Sequence, residues 1–270
     1  MNSQQENTMT NDELFNLIST ELKTKDWKKQ PFNIFNACGI ENHETAHSAF
    51  IANLLNPEGT HGCGNLFLIK FLDILKEKYQ EIEIDKLSND VWVETEHNET
   101  NVGRFDIWII SKTENAYMII ENKIYAEEGD EQLSKYLKFL IGQSTRHNEQ
   151  RNGILLYLTL NGKAATKTDI KKNDSSGYYC ISYFDTIKKW LTSCLEMKLD
   201  IRLMYWIQQY YELIDFITLN NTLKNKIISL KIKKEQIENI LQKSITTTQE
   251  NRFLKYLIYS FERIENKDKK

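Results

Sequence analysis

RFDIWIIS (104–111) and AYMIIENK (116–123) are the two stretches on which the reading of this chain turns. Both are rich in β-branched and aromatic residues and are bounded by turn-like segments, so they read as strands. With VWVETEH (91–97) before them, they form an antiparallel meander of three strands. Side chains alternate along a strand, so Glu121 and Lys123 share one face and Asn122 takes the other. Phe105, Ile107 and Ile109 alternate on one side of the preceding strand, and Asp106 shares the opposite side with Trp108 and Ile110. Fourteen residues separate Asp106 from Glu121, a spacing that suits a hairpin and brings both carboxylates within reach of one ion.

Two carboxylates held this close repel each other, and burial makes each charge more costly. A divalent cation relieves both problems. Mg²⁺ is content with a few carboxylates and keeps water that a phosphate can displace. Phosphodiester hydrolysis needs an activated water and a stabilised leaving oxygen, and a metal supplies both. A lysine beside the metal can orient or deprotonate the water and stabilise the transition state. A Glu-x-Lys ion pair on an exposed edge strand is the bland alternative. Asp106, in the right order and inside an apolar strand, is what counts against it.

Upstream, residues 12–25 place Leu14, Leu17, Ile18 and Leu22 on one helical face. Asn42 can cap a helix through HETAHSAFIANLL that stops near Pro57. A loop, NPEGTHGCGN, and a third helix, LFLIKFLDILKEKY, follow. Downstream, EQLSKYLKFLIGQ is helical, GILLYLTL reads as a buried strand and YYCISY as another. Two helices come next, around TIKKWLTSCLEM and IRLMYWIQQYYELIDFI. This order predicts a mixed α/β layered domain. From about Thr218 the chain becomes rich in Lys, Ile and Asn, with helical spacing in KNKIISLKIKKEQIENILQKSI and again in FLKYLIYSFERI. These helices can pack on the main domain, or they can serve self-association or a protein partner.

The bulk properties narrow the class. The chain has 270 residues, 40% hydrophobic and 27% charged, as expected of a folded domain with an appendage. No apolar run is long enough to span a membrane, and the N-terminus has neither a basic prelude nor an apolar signal core, so the protein reads as cytoplasmic. None of the four cysteines falls in a CxxC pair, which argues against structural zinc. A net charge of −3 does not suit a non-specific nucleic-acid coater, but it allows a locally basic cleft. There is no P-loop and no GxSxG elbow.

GRFDIWI followed by IIENKIYA resembles the Asp, gap, Glu-x-Lys motif of the PD-(D/E)xK, restriction-endonuclease-like nucleases. HETAHSAFIANLLNPEGTHGCGNLFL resembles the opening helix and His-Gly loop of one bacterial branch, and EQLSKY resembles its Gln-xxx-Tyr signature. The position before Asp106 holds Phe105 where the motif has proline. The resemblance spans roughly residues 31 to 215. It implies an α-β-β-β-α-β core with a mixed central sheet, flanking helices and a helical C-terminal tail. It also implies Mg²⁺- or Mn²⁺-dependent cleavage of nucleic acid, DNA above all, in bacterial defence or DNA processing.

The site it implies has Asp106, Glu121 and Lys123 as the catalytic set, with Asp106 and Glu121 as metal ligands. Glu44 is either a further metal ligand or a first-turn acid that stabilises its helix dipole. Gln132 and Tyr136, one helical turn apart, join the catalytic set by holding the lysine or a phosphate. Glu94 or Glu96 can join the metal shell or face solvent, and His47 and His61 can hydrogen-bond across helix and loop. Lys163, Lys167, Lys171 and Lys172 can grip phosphates or line a solvated loop. The expected division is residues 1–30, a nuclease-like domain over 31–217 and a helical extension over 218–270. The competing function is a nuclease-fold module that binds nucleic acid or a protein without cutting.

Overall fold

The computed structural model describes residues 10–24, 32–125, 131–146, 153–168, 170–229 and 234–243, together with Leu254 and Ile258. The chain divides into two compact units, one over residues 33–218 and one from the described parts of 1–32 and 219–270.

The first unit is built on a five-stranded sheet in the order β1-β2-β3-β4-β5. β1 (Val91–Glu99), β2 (Gly103–Ser111) and β3 (Ala116–Lys123) form the expected antiparallel meander. β4 (Gly153–Thr159) lies parallel to β3, and β5 (Tyr179–Ser182) parallel to β4. Every residue of β4 is buried, which is why its sequence shows no polar alternation. Tyr183, expected to end the last strand, instead opens a π-helical turn, Tyr183–Ile187, whose start is capped by Ser182 Oγ accepting from the Asp185 N–H. That turn leads into α6 (Lys188–Leu195).

Helices cover both sheet faces. On one face, α3 (Glu44–Leu55), α4 (Leu66–Lys78), α6 and the part of α7 (Ile201–Ser229) within this unit bury Ile51, Phe67, Phe71, Trp190 and Tyr210 against Ile107, Ile109, Met118 and Ile120. On the other face, α5 (Gln132–Arg146) packs Leu133, Tyr136 and Leu140 against Trp108, Ile119 and Leu155. α2 (Ile34–Ala37) is a short turn capped by the Asn33 side chain. The order α3-β1-β2-β3-α5-β4 reproduces the α-β-β-β-α-β core that the resemblance implies.

Two local expectations need correction. The cap of α3 is His43, not Asn42, and the His43 side chain makes no capping hydrogen bond. Phe105 does not share a face with Ile107 and Ile109. It packs with Trp108 and Tyr136 on the α5 side, because the strand loses its regular pairing at the next residue.

In the second unit, α1 (Asn11–Thr24) packs on α8 (Lys234–Lys243), burying Leu14 and Ile18 from one and Ile237 and Ile240 from the other. Of the helical spacing expected over 224–245, the described residues 224–229 belong to the end of α7 and 234–243 to α8. Apart from Leu254 and Ile258, the expected helix over 253–264 lies outside the described residues. No helix among the described residues is long and apolar enough to cross a membrane.

Candidate active site

The site forms where the sheet comes apart. β2 and β3 pair from Ser111↔Ala116 to Ile107↔Ile120 and no further. On the other side of β2, pairing with β1 runs through Thr95↔Ile107 and resumes at His97↔Phe105. Asp106 is therefore the one residue of β2 without a cross-strand partner on either side. Opposite it, Glu96 adopts a left-handed backbone with φ 55, a conformation that a non-glycine residue adopts at a cost, while the register on either side stays in step. Where the β2–β3 ladder would have continued, the Asn122 N–H donates to Asp106 Oδ2 at 2.7 Å. A side chain has replaced a backbone acceptor, and this turns the carboxylate toward β3.

Glu121 and Lys123 project on the α5 side, as alternation requires. Lys123 Nζ forms an ion pair with Glu121 Oε1. Glu121 is only 1% exposed, and its Oε2 is buried with no hydrogen-bond partner among the described residues. Burial, then the neighbouring Asp106, push the Glu121 carboxyl up to about 8. Burial also raises Asp106, although the Asn122 N–H partly offsets it. Burial alone would lower Lys123, but Glu121, Asp106 and Glu44 outweigh it and hold the ammonium above its usual range.

Glu44, in the first turn of α3, does more than face its own helix dipole. Its Oε1 accepts from the N–H groups of Ile124 (2.7 Å) and Tyr125 (2.9 Å), just past β3. The Glu44 charge also acts, as a minor contribution, on Asp106, Glu121 and Lys123.

Gln132 Nε2 donates to Tyr136 Oη at 2.8 Å, and that hydroxyl donates to the Arg104 carbonyl. Among the described residues the pair thus grips the backbone two positions before Asp106, and it does not bond Lys123. Arg104 extends its guanidinium to Glu96 Oε2 at 2.9 Å. Glu94 is engaged by Trp92 Nε1 and His97 Nδ1.

His47 and His61 do not meet. His47 bonds Tyr210 Oη and the Glu41 carbonyl, and His61 bonds the Asn56 carbonyl and the Cys63 N–H. Burial lowers His47 to about 4, so it is a neutral core residue. The four lysines at 163, 167, 171 and 172 all stand exposed between β4 and β5. A separate pocket of about 620 Å³, lined by Phe50, Leu54, His61, Arg202, Leu203 and Trp206 among others, includes neither Asp106, Glu121 nor Glu44.

The donor set can be tested against a divalent cation. Among the described residues, no group of three or more His, Cys, Asp or Glu side chains is placed to hold a metal ion, which argues against a structural transition-metal site. A hard cation that uses one or two carboxylates and leaves the remaining positions to water and phosphate asks for less. The orphaned Glu121 Oε2 beside Asp106 fits that requirement: a buried acceptor without a donor is what a cation would satisfy. What the sequence reading missed is Asn122, which the structure places at the centre of the site's support. The available signal was an amide on the core-facing side of an otherwise apolar strand.

A family model described as the PD-(D/E)XK nuclease superfamily matches residues 32–211. No curated protein and no solved structure matches the chain.

Proposed function

The chain belongs to the PD-(D/E)XK nuclease superfamily, and from that premise we propose that it is a divalent-metal-dependent nuclease that hydrolyses phosphodiester bonds of DNA, in bacterial defence or DNA processing. The observation that carries this reading is the buried Glu121 carboxylate, with one oxygen unpaired, beside Asp106 and Lys123. Asp106 and Glu121 would hold Mg²⁺ or Mn²⁺; Glu44, whose Oε1 accepts from the Ile124 and Tyr125 N–H groups, would become a further ligand only by moving its carboxylate toward them. Such an ion, when bound, supplies Lewis acidity that activates water for attack and neutralises charge at the phosphate.

The chain's own groups do the rest. Lys123 keeps its proton and offers N–H donors to a phosphate oxygen, with Glu121 fixing its direction. Tyr136 and Gln132 hold the strand at Arg104 and thereby set the approach of Asp106. The exposed lysines between β4 and β5 are suited to sequence-independent phosphate contacts.

The test is incubation of the full chain with plasmid, linear DNA and RNA in Mg²⁺, Mn²⁺ or EDTA. Cleavage of DNA with either metal and none in EDTA supports the reading. Retention of nucleic acid without cleavage in any metal would favour a binding module instead.

A further inference from the structure

Asn122 stands between Glu121 and Lys123, is fully buried, and faces away from both toward α3. Every polar group of its side chain is engaged. Its Oδ1 accepts from the Tyr183 hydroxyl at 2.9 Å. Its Nδ2 donates to Ser48 Oγ at 3.0 Å and to the Glu44 carbonyl at 3.1 Å. Tyr183 is itself backed by Tyr210, and Tyr210 by His47, all of them buried. Two elements remote in sequence therefore converge on one amide of β3: the first turns of α3 and the π-helical turn. The backbone N–H of the same residue holds Asp106 Oδ2.

We propose that Asn122 is a positioning residue for the hydrolytic site: the clamp on its carboxamide fixes the direction of its backbone N–H, and that N–H sets the Asp106 carboxylate against Glu121. The inference rests on the metal-nuclease reading for its catalytic consequence, and on the hydrogen bonds alone for its structural one. The physical reason for such a clamp is that Asp106 has left both ladders, so no strand pairing fixes it. A carboxylate in that position would turn away from Glu121, because the two charges repel. A short hydrogen bond from a rigid donor opposes the turn, and the donor is rigid only if its peptide plane cannot rock. Glu44 completes the arrangement: its carbonyl takes the Asn122 amide while its carboxylate takes the next two N–H groups of the chain beyond β3.

The test compares Tyr183→Phe, which removes one bond to the Asn122 carboxamide, with Tyr210→Phe, which removes a similar buried hydroxyl one step further out. Two quantities are read in the full chain: the Asn122 amide proton shift in metal-free protein, and the Mg²⁺ and Mn²⁺ affinity by calorimetry. In Tyr183→Phe the amide proton moves upfield and metal affinity falls about tenfold, the lower end of what lost support of a metal ligand typically costs. In Tyr210→Phe both stay near wild type, although the protein melts lower.

An unchanged amide shift or unchanged metal affinity in Tyr183→Phe overturns the proposal. So do equal changes in both variants, which would mean a generally loosened core. If Tyr183→Phe does not fold, Ser48→Ala reads the same two quantities with the same expected directions. Wild type that takes up no divalent cation refutes the metal reading separately, and the amide shift then decides whether Asn122 positions Asp106.

Discussion

Asp106 Oδ2 accepts a 2.7 Å hydrogen bond from the backbone N–H of Asn122, at the point where the ladder between their two strands stops. The sheet gives up regular pairing there, and the carboxylate is held to β3, where its charge acts on Glu121 and Lys123. That one exchange turns two hydrogen-bonded strands into a site with two close carboxylates.

On the proposed reading Asp106, Glu121 and Lys123 act as a unit, so alanine at any one position should lower cleavage on the order of 10⁴-fold, and double variants should be hardly worse than single ones. Circular dichroism should show the fold retained. Near-wild-type cleavage by Lys123→Ala would remove the lysine from the chemistry.

The raised Glu121 carboxyl predicts a pH slope. Its value in the fold, about 8, lies above the ordinary 4.5, so between these limits the folded protein binds more protons than the unfolded chain. Metal-free stability therefore falls as pH rises through that window. Melts in EDTA should show a higher Tm near pH 5 than near pH 8, and Glu121→Gln should flatten the slope. Saturating Mg²⁺ should raise the wild-type Tm at pH 8, because only the ionised site gains binding free energy. A wild-type Tm that is flat with pH in EDTA and indifferent to Mg²⁺ would refute a metal-binding carboxylate pair.

Glu44 carries two separable roles. Glu44→Gln keeps a carbonyl oxygen that can accept from Ile124 and Tyr125, so its stability should stay close to wild type while metal affinity drops. Glu44→Ala strands both N–H groups and should lose stability as well, at roughly 1–3 kcal/mol for each donor that water does not reach. Calorimetric metal titration beside denaturant melts separates the two. Unchanged metal affinity in Glu44→Gln would confine Glu44 to tying α3 to the end of β3.

Gly103 opens β2 with φ 140, and a Cβ added there would lie 3.3 Å from the Tyr136 ring. Gly103→Ala should therefore destabilise the protein by about 1–3 kcal/mol, the usual cost of a strained backbone position. It should also reduce cleavage by displacing the tyrosine that holds the Arg104 carbonyl. Chemical denaturation and steady-state assay measure the two effects, and an alanine variant with wild-type stability would contradict this account of the turn.

The sequence by itself determined the order of elements and the chemistry-bearing face of β3. Strand alternation is a two-residue rule, so Glu121 and Lys123 had to share a face and Asn122 had to oppose them. Apolar content without alternation marked β4 as covered on both sides, and its complete burial follows from helices packed on each face. Local periodicity carries no information about where a ladder breaks. The φ 55 of Glu96, the absence of Asp106 from both ladders and the consequent shift of Phe105 to the α5 side depend on how three strands twist together. The reach of Glu44 to Ile124, 80 residues away, and of Tyr183 to Asn122, 61 residues away, depends on how the helices dock on the sheet. Only the packed layers bring such distant groups together, because each must find a partner once water is excluded, and the partner is whatever the neighbouring layer presents.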